Sequence, residues 1–217
     1  QRTYDQIFHD ICLQNLPVVI LVDRAGIVSG DGPTHQGIYD LAFLRSIPGI
    51  TIFCPYSLRN AEEIVKQSLE YKTPVAIRYP RDLLPENVPE IKNNGKILCL
   101  GTGSMASIAY EACMSLNQKN IQIDFMPVSK VWPPDNNVEN MLSLYRKIVT
   151  CEEAILTSGF GSSMLEICNQ KKLSIEVLRI GIPDIFIETG SREALLKNFN
   201  LDKENIIEKV KKFYENV

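Results

Sequence analysis

Two short stretches carry the residue types that acid–base and anion-binding chemistry need. In residues 23–37, Arg24, Asp31 and His35 stand among four glycines and a proline. In the string Arg78-Tyr79-Pro80-Arg81, two more guanidinium groups flank a turn. An imidazole exchanges protons near neutral pH. A neighbouring carboxylate can fix its tautomer or hydrogen-bond a substrate itself. Planar guanidinium forks suit phosphate or carboxylate, and glycines let backbone approach a ligand closely. The set suits a small, phosphorylated, oxygen-rich substrate undergoing proton transfer. The plain alternative is a surface turn beside a surface salt bridge, since Asp31-Gly32 is itself a common turn pair. The residues alone leave both open. His9, the other histidine, lies among helical residues and reads as structural.

Open α/β sheets bind ligands outside the carboxyl ends of their strands, and both stretches follow apolar runs that read as strands. Residues 18–22 are continuous and β-branched, which suits a parallel strand covered on both faces; residues 50–54 and 75–78 read alike. Tyr4, Ile7, Phe8, Ile11 and Cys12 recur with the period of an amphipathic helix. No clear cap precedes that helix, so the chain is expected to begin inside a larger domain. A short helix is expected over 39–45 and a longer one to about residue 71, capped by Asn60 with Glu63 or by Ser57. From 82 to 94 prolines, asparagines and charges break the pattern, as in a linker. Strands are then expected at 97–100, 121–128, 148–151 and 175–180, with helices between them and two final helices capped by Ser191 and Asp202. The alternation predicts two α/β units with mostly parallel sheets.

Gly101-Thr102-Gly103-Ser104 lacks a P-loop ending and the third glycine of a dinucleotide fingerprint, so it reads as a plain turn. Ser158-Gly159-Phe160-Gly161-Ser162 reads the same way. Glu152-Glu153 either pairs across an interface or sits solvated at a helix entry. Six cysteines without a C-x-x-C pair point to reduced thiols in a cytosol-like compartment. Two histidines exclude a multi-histidine metal centre, and no metal ligands are assigned. Lys and Arg total 23 against 26 Asp and Glu, a net charge of -3, which argues against bulk nucleic-acid binding. No apolar run approaches the ~18 residues of a membrane-spanning helix.

At Asp23-Arg24-Ala25-Gly26-Ile27-Val28 and Asp31-Gly32-x-Thr34-His35-Gln36-Gly37 the sequence resembles the 1-deoxy-D-xylulose-5-phosphate synthases, thiamine diphosphate enzymes of the transketolase group. Gln1-Arg2-Thr3-Tyr4-Asp5-Gln6, Leu44-Arg45-Ser46-Ile47-Pro48, Arg78-Tyr79-Pro80-Arg81, Glu152-Glu153 and Ile180-Gly181-Ile182-Pro183-Asp184 follow in family order. The resemblance implies a partial pyrimidine-binding domain over 1–81, a linker over 82–94 and a transketolase C-terminal domain over 95–217. It implies condensation of pyruvate with glyceraldehyde 3-phosphate to 1-deoxy-D-xylulose 5-phosphate and CO2, feeding isoprenoid, thiamine and pyridoxal synthesis. By motif position, Arg24 and Arg81 match the arginines holding the phosphorylated acceptor. Asp31 and His35 match residues that contact substrate and aid proton transfer, and Arg2 matches a residue near the cofactor pocket. A homodimer is implied, in the bacterial cytoplasm or a plastid.

The chain also departs from that family. It lacks the aromatic residues before the first helix, the glutamate that activates the aminopyrimidine, and the Gly-Asp-Gly domain that binds diphosphate and Mg2+. Pro55-Tyr56-Ser57-Leu58-Arg59 replaces an acidic stretch. Thiamine diphosphate and Mg2+ are therefore expected to bind mainly outside this chain, which alone should not turn over. Two alternatives stand beside this expectation: half of another transketolase-group enzyme, and a non-catalytic dimerisation or scaffold module.

Overall fold

The computed structural model describes residues 1–215. A short helix α1 (Tyr4–Gln6) continues into a wider coil over Ile7–Cys12. There Leu13 N–H bonds to the Phe8 carbonyl at 2.9 Å and Leu16 N–H to Ile11 at 3.0 Å, both five residues apart. A four-residue spacing falls near one full turn in either geometry, so the apolar stripe does not distinguish this coil from the α-helix it suggests.

Strand β1 (Val19–Val22) leads into the glycine-rich loop, and α2 (Asp40–Arg45) follows it. Next come β2 (Thr51–Phe53), α3 (Leu58–Ser68) and β3 (Val75–Arg78). Ser57 caps α3, its hydroxyl accepting from Asn60 N–H at 3.2 Å. Strands β1, β3 and β2 lie in parallel, with Val19 and Thr51 both opposite Val75. Central strands β2 and β3 are buried throughout, as β-branched runs between two covering layers should be.

Residues 82–94 are tied to both halves: Leu58 N–H at the start of α3 bonds to the Pro85 carbonyl at 2.9 Å. Val88 and Ile91 are buried, and Ile91 exchanges two 2.9 Å backbone bonds with Phe125. The second sheet begins with β4 (Ile97–Thr102), α4 (Met105–Gln118) and β5 (Ile123–Val128). The chain then returns to the first sheet: β6 (Lys130–Trp132) pairs antiparallel with β2. Helix α5 (Asn136–Leu142), β7 (Lys147–Ile155), α6 (Phe160–Gln170), β8 (Glu176–Ile182), α7 (Arg192–Asn198) and α8 (Lys203–Glu215) complete the chain. The sheet orders are β1-β3-β2-β6 and β5-β4-β7-β8, the second parallel throughout. The α/β class and mostly parallel sheets match the expectation. Strand β6 does not follow from it, because three residues are too few to show a period.

One apolar cluster joins Leu41, Leu44 and Ile52 of the first half to Leu98, Ile148 and Phe160 of the second. Another joins Ile27 and Ile38 to α4, β8 and α8. The glycine-rich loop is thus built on packed elements from both halves. Its neck is closed by Gly26 and Gly37, whose N–H and C=O groups exchange bonds of 2.6 and 2.9 Å. A Cβ at Gly37 would overlap the Arg24 carbonyl oxygen. Gly26 has φ +91°, and a Cβ there would come within 2.7 Å of the Glu153 carboxyl.

Strand β7 extends past residue 151 and buries Glu152 and Glu153, which excludes the solvated helix-entry reading. Glu152 caps α6, accepting from Phe160 N–H at 2.6 Å and Gly161 N–H at 2.7 Å. Burial pushes its carboxyl up to about 7, against the opposing pull of those two amides and of Arg78 and Arg45. All six cysteines are free, and burial raises the Cys54 thiol to about 11.

Two predictions follow from this frame. Gly37→Ala should force the loop neck apart and cost about 1–3 kcal/mol, the usual range for overpacking, read from urea denaturation midpoints. The folded chain holds the Glu152 proton up to about pH 7, whereas an unfolded glutamate releases it near the ordinary 4.5. The folded state therefore binds more protons within that window, and Glu152's contribution makes stability fall as pH rises from 4.5 to 7. Glu152→Gln should flatten the decline, measured as midpoints from pH 5 to 8.

Candidate functional site

The two strand-end loops run side by side. Beyond β1, Ala25 N–H bonds to the Tyr79 carbonyl at 2.9 Å, which joins the glycine-rich loop to the turn after β3. Within the first loop, Gln36 acts as a substitute strand. Its side-chain oxygen accepts from Val28 N–H at 2.8 Å, and its amide donates to the Val28 carbonyl at 3.3 Å. Gly30 and Gly32 take φ of +82° and +72°, the left-handed region open to glycine. These turns lead into a single tight 3-10 turn over Pro33–His35.

Arg24 itself has φ +59°. Its guanidinium pairs with Asp31, Nη1 to Oδ2 at 2.8 Å. Both side chains are partly exposed, at 47% and 34%. Such a pair is worth only about 0–1 kcal/mol, so an incoming anion can compete for the fork at little cost. His35 is exposed, and its Nδ1 lies 2.9 Å from the Thr34 hydroxyl. Among the described residues its Nε2 has no protein partner, and Arg81, also exposed, has no ion pair. The structure joins Arg24 to Asp31 and sets their loop against the turn before Arg81. Among the described residues no hydrogen bond or ion pair links His35 or Arg81 to that pair.

Arg78 plays a different part from the other arginines. Its side chain is 5% exposed. Nε donates to Asp40 Oδ1 at 2.8 Å, and Nη2 donates to the carbonyls of Gly37 and Glu153, each at 2.8 Å. Burial pulls its pKa down, but Asp40 and Cys54 outweigh that and hold it above the ordinary value. Grouping Arg78 with the substrate-facing arginines is therefore corrected: it fastens the loop from beneath. Arg2 lies in the opening turn, exposed and without an ion pair among the described residues.

Glu153, Ser104 and Arg192 complete the support. Glu153, with a side chain 2% exposed, accepts from Ile27 N–H at 2.8 Å. It also accepts from the Ser104 hydroxyl and from the Arg192 fork, Nε at 3.1 Å and Nη2 on the other oxygen. Glu153 thus pairs across the junction of the two halves. The acidic dipeptide at a strand end hinted at such a role. Nothing local marks Arg192, 39 residues away.

Comparison with known proteins agrees with this architecture. The family model described as "Transketolase, pyrimidine binding domain" matches residues 1–87, and "Transketolase, C-terminal domain" matches 87–206. The 1-deoxy-D-xylulose-5-phosphate synthase of Buchnera aphidicola subsp. Schizaphis graminum is 41% identical over 224 residues, covering 97% of this chain and 37% of the relative. That of Caldanaerobacter subterraneus subsp. tengcongensis is 40% identical over 230 residues, with shares of 99% and 37%. That of Clostridium tetani is 36% identical, with shares of 98% and 36%. The chain thus spans little more than a third of these curated relatives. A solved structure titled "Split gene transketolase, inactive beta4 tetramer" superposes with TM-score 0.83 at 28% identity, covering 97% of this chain and 71% of that one. With both domain models matched in sequence order and a fold superposing over nearly its whole length, the chain belongs to the transketolase family.

Proposed function

We propose that this chain is the acceptor-binding part of a 1-deoxy-D-xylulose-5-phosphate synthase, joining pyruvate and glyceraldehyde 3-phosphate with loss of CO2. The observation that carries this reading is the weakly held Arg24–Asp31 pair on a rigidly closed loop beside the turn into Arg81. The identity of 36–41% to named synthases over nearly the whole chain supports it. In this reading residues 1–81 are a pyrimidine-binding unit, 82–94 a connection and 95–217 the C-terminal unit of a cytoplasmic or plastid homodimer. Among the described residues no helix is long and apolar enough to cross a membrane.

Transketolase-family membership implies thiamine diphosphate as cofactor. The carboxylates of this chain do not gather into the oxygen cage that a Mg2+ on the diphosphate would take. Among the described residues no three acidic, histidine or cysteine groups converge as a cation cage, and Arg2 is exposed. The residues present suit one phosphate monoester and a carbonyl. Arg24 and Arg81 would take the acceptor's phosphate as charge-assisted hydrogen bonds. The acceptor's aldehyde oxygen becomes a hydroxyl and needs one proton, which His35 would deliver. Asp31, released from Arg24, would accept from a substrate hydroxyl.

A second reading is favoured by the structural neighbour: half of a split transketolase. The donor substrate separates the two. The chain should be combined with the cofactor-binding portion of a synthase, thiamine diphosphate, Mg2+ and glyceraldehyde 3-phosphate, then given pyruvate or a ketose phosphate. CO2 release from pyruvate supports the synthase, and turnover of the ketose alone supports the split transketolase. The chain by itself should be silent with either donor. In the active assembly, His35→Ala should lower kcat roughly 10²–10⁴-fold. Arg81→Ala should raise KM for glyceraldehyde 3-phosphate roughly tenfold to a hundredfold. Unchanged kinetics in both variants would support a non-catalytic module instead.

A further inference from the structure

Both loops that carry the acceptor-binding residues are tied to one guanidinium from the far half of the chain. Arg192 opens α7, directly after the Ser191 cap. Its Nε lies 3.1 Å from Glu153 Oε1 and 3.3 Å from Asp82 Oδ2, and its Nη2 meets Glu153 Oε2. Glu153 in turn holds Ile27 N–H, the first residue of the glycine-rich loop beyond its neck. The Arg192 backbone N–H donates to Ser29 Oγ at 3.1 Å in the same loop. Asp82 is the residue after Arg81. One fork therefore reaches the loop of Arg24, Asp31 and His35 on one side and the turn of Arg81 on the other.

We propose that Arg192 is a positioning residue that sets the spacing between Arg81 and the Arg24–Asp31 loop, and so sets the fit for a phosphorylated acceptor it does not touch. This rests on the reading that these loops hold the acceptor. The chemistry calls for arginine. A planar fork meets both oxygens of Glu153 with two parallel N–H groups, a match that an ammonium does not make, while Asp82 faces the same guanidinium as an ion pair. The balance is also sensitive. Glu153 is buried, and removing the guanidinium leaves a carboxylate with only a hydroxyl and an amide to hold it. Pro80, Asp82, Ser104 and Arg192 line a cavity of about 100 Å³, which gives the Arg81 turn room to shift once the fork is lost.

The test compares Arg192→Gln and Arg192→Lys in the full chain with two measurements. Amide hydrogen exchange is followed in peptides covering residues 26–37 and 79–83, with peptides from β4 and β7 as the control for folding. Steady-state kinetics of the complete assembly give separate KM values for glyceraldehyde 3-phosphate and pyruvate. Arg192→Gln should speed exchange roughly tenfold in both loops, leave the strands protected, and raise the acceptor KM roughly tenfold with pyruvate KM within about twofold. Arg192→Lys should fall between Gln and the parent, and stands in if Gln fails to fold. Unchanged exchange in either loop overturns the proposal, as does an equal rise in both KM values. Faster exchange with an unmoved acceptor KM also overturns it if Arg81→Ala does raise that KM. If Arg81→Ala leaves the acceptor KM unmoved as well, it is the acceptor reading of these loops that fails.

Discussion

A carboxylate shut away from water needs every lone pair answered, and Glu153 meets that demand with groups drawn from three separate parts of the chain. An amide from the glycine-rich loop, a hydroxyl from the start of α4 and a guanidinium from α7 converge on its two oxygens. Its own main-chain carbonyl accepts from Arg78, which also holds Gly37. Neighbouring side chains on a strand face opposite ways. Hence Glu152, one residue earlier on β7, serves the amides of α6 while Glu153 serves the first half of the molecule. One register step along β7 would put one glutamate in the other's place and leave either the helix or the loop facing Cys151 or Ala154 instead of an acceptor. The β4 ladder ends at Cys151 and the β8 ladder shifts register between Cys151 and Ile155, so the two glutamates sit at an irregular stretch of β7 and are held by their side-chain partners.

The arginines divide by burial into two kinds of work. Arg45, Arg78 and Arg192 fasten the halves together. From α2, Arg45 Nη1 donates to the carbonyls of Ser158 and Gly159 at 2.7 and 3.0 Å. Its Nη2 meets Glu166 at 2.7 Å, and its guanidinium lies 4.5 Å from the centre of the Trp132 ring. Arg78 and Asp40 are both buried, and such pairs contribute little net stability, because desolvation offsets most of the attraction. Their planar forks do fix geometry, since a displaced partner loses a directed bond rather than a diffuse attraction. Arg2, Arg24 and Arg81 remain at the surface.

What could be read from the sequence follows the range of the interactions. Strands β2, β3 and β4 were legible because burial on both faces demands a continuous apolar run. The glycine-rich loop was legible because positive φ at positions 26, 30 and 32 demands glycine. Strand β6 was not, since three residues carry no period and its pairing with β2 is long-range. The length of β7 was misread because two adjacent glutamates look like a strand end; only the distant amides and arginines make their burial tolerable. Arg78 and Arg81 share a residue type and a turn, yet one is buried and the other exposed. That difference is set by Asp40 and Gly37, some forty residues away.

The two family models meet at residue 87, but the physical ties do not divide there. Strand β6 completes the sheet of the first half from within the second. The apolar cluster that holds Leu41 and Ile52 also holds Leu98 and Phe160. The loop presenting Asp31 and His35 hangs from Glu153 and Arg192. Severing the chain near residue 87 would expose the edge of β2, open both clusters and strand a buried carboxylate at once. A segment that matches a C-terminal domain by sequence is therefore, in physical terms, part of the scaffold that holds the glycine-rich loop in place.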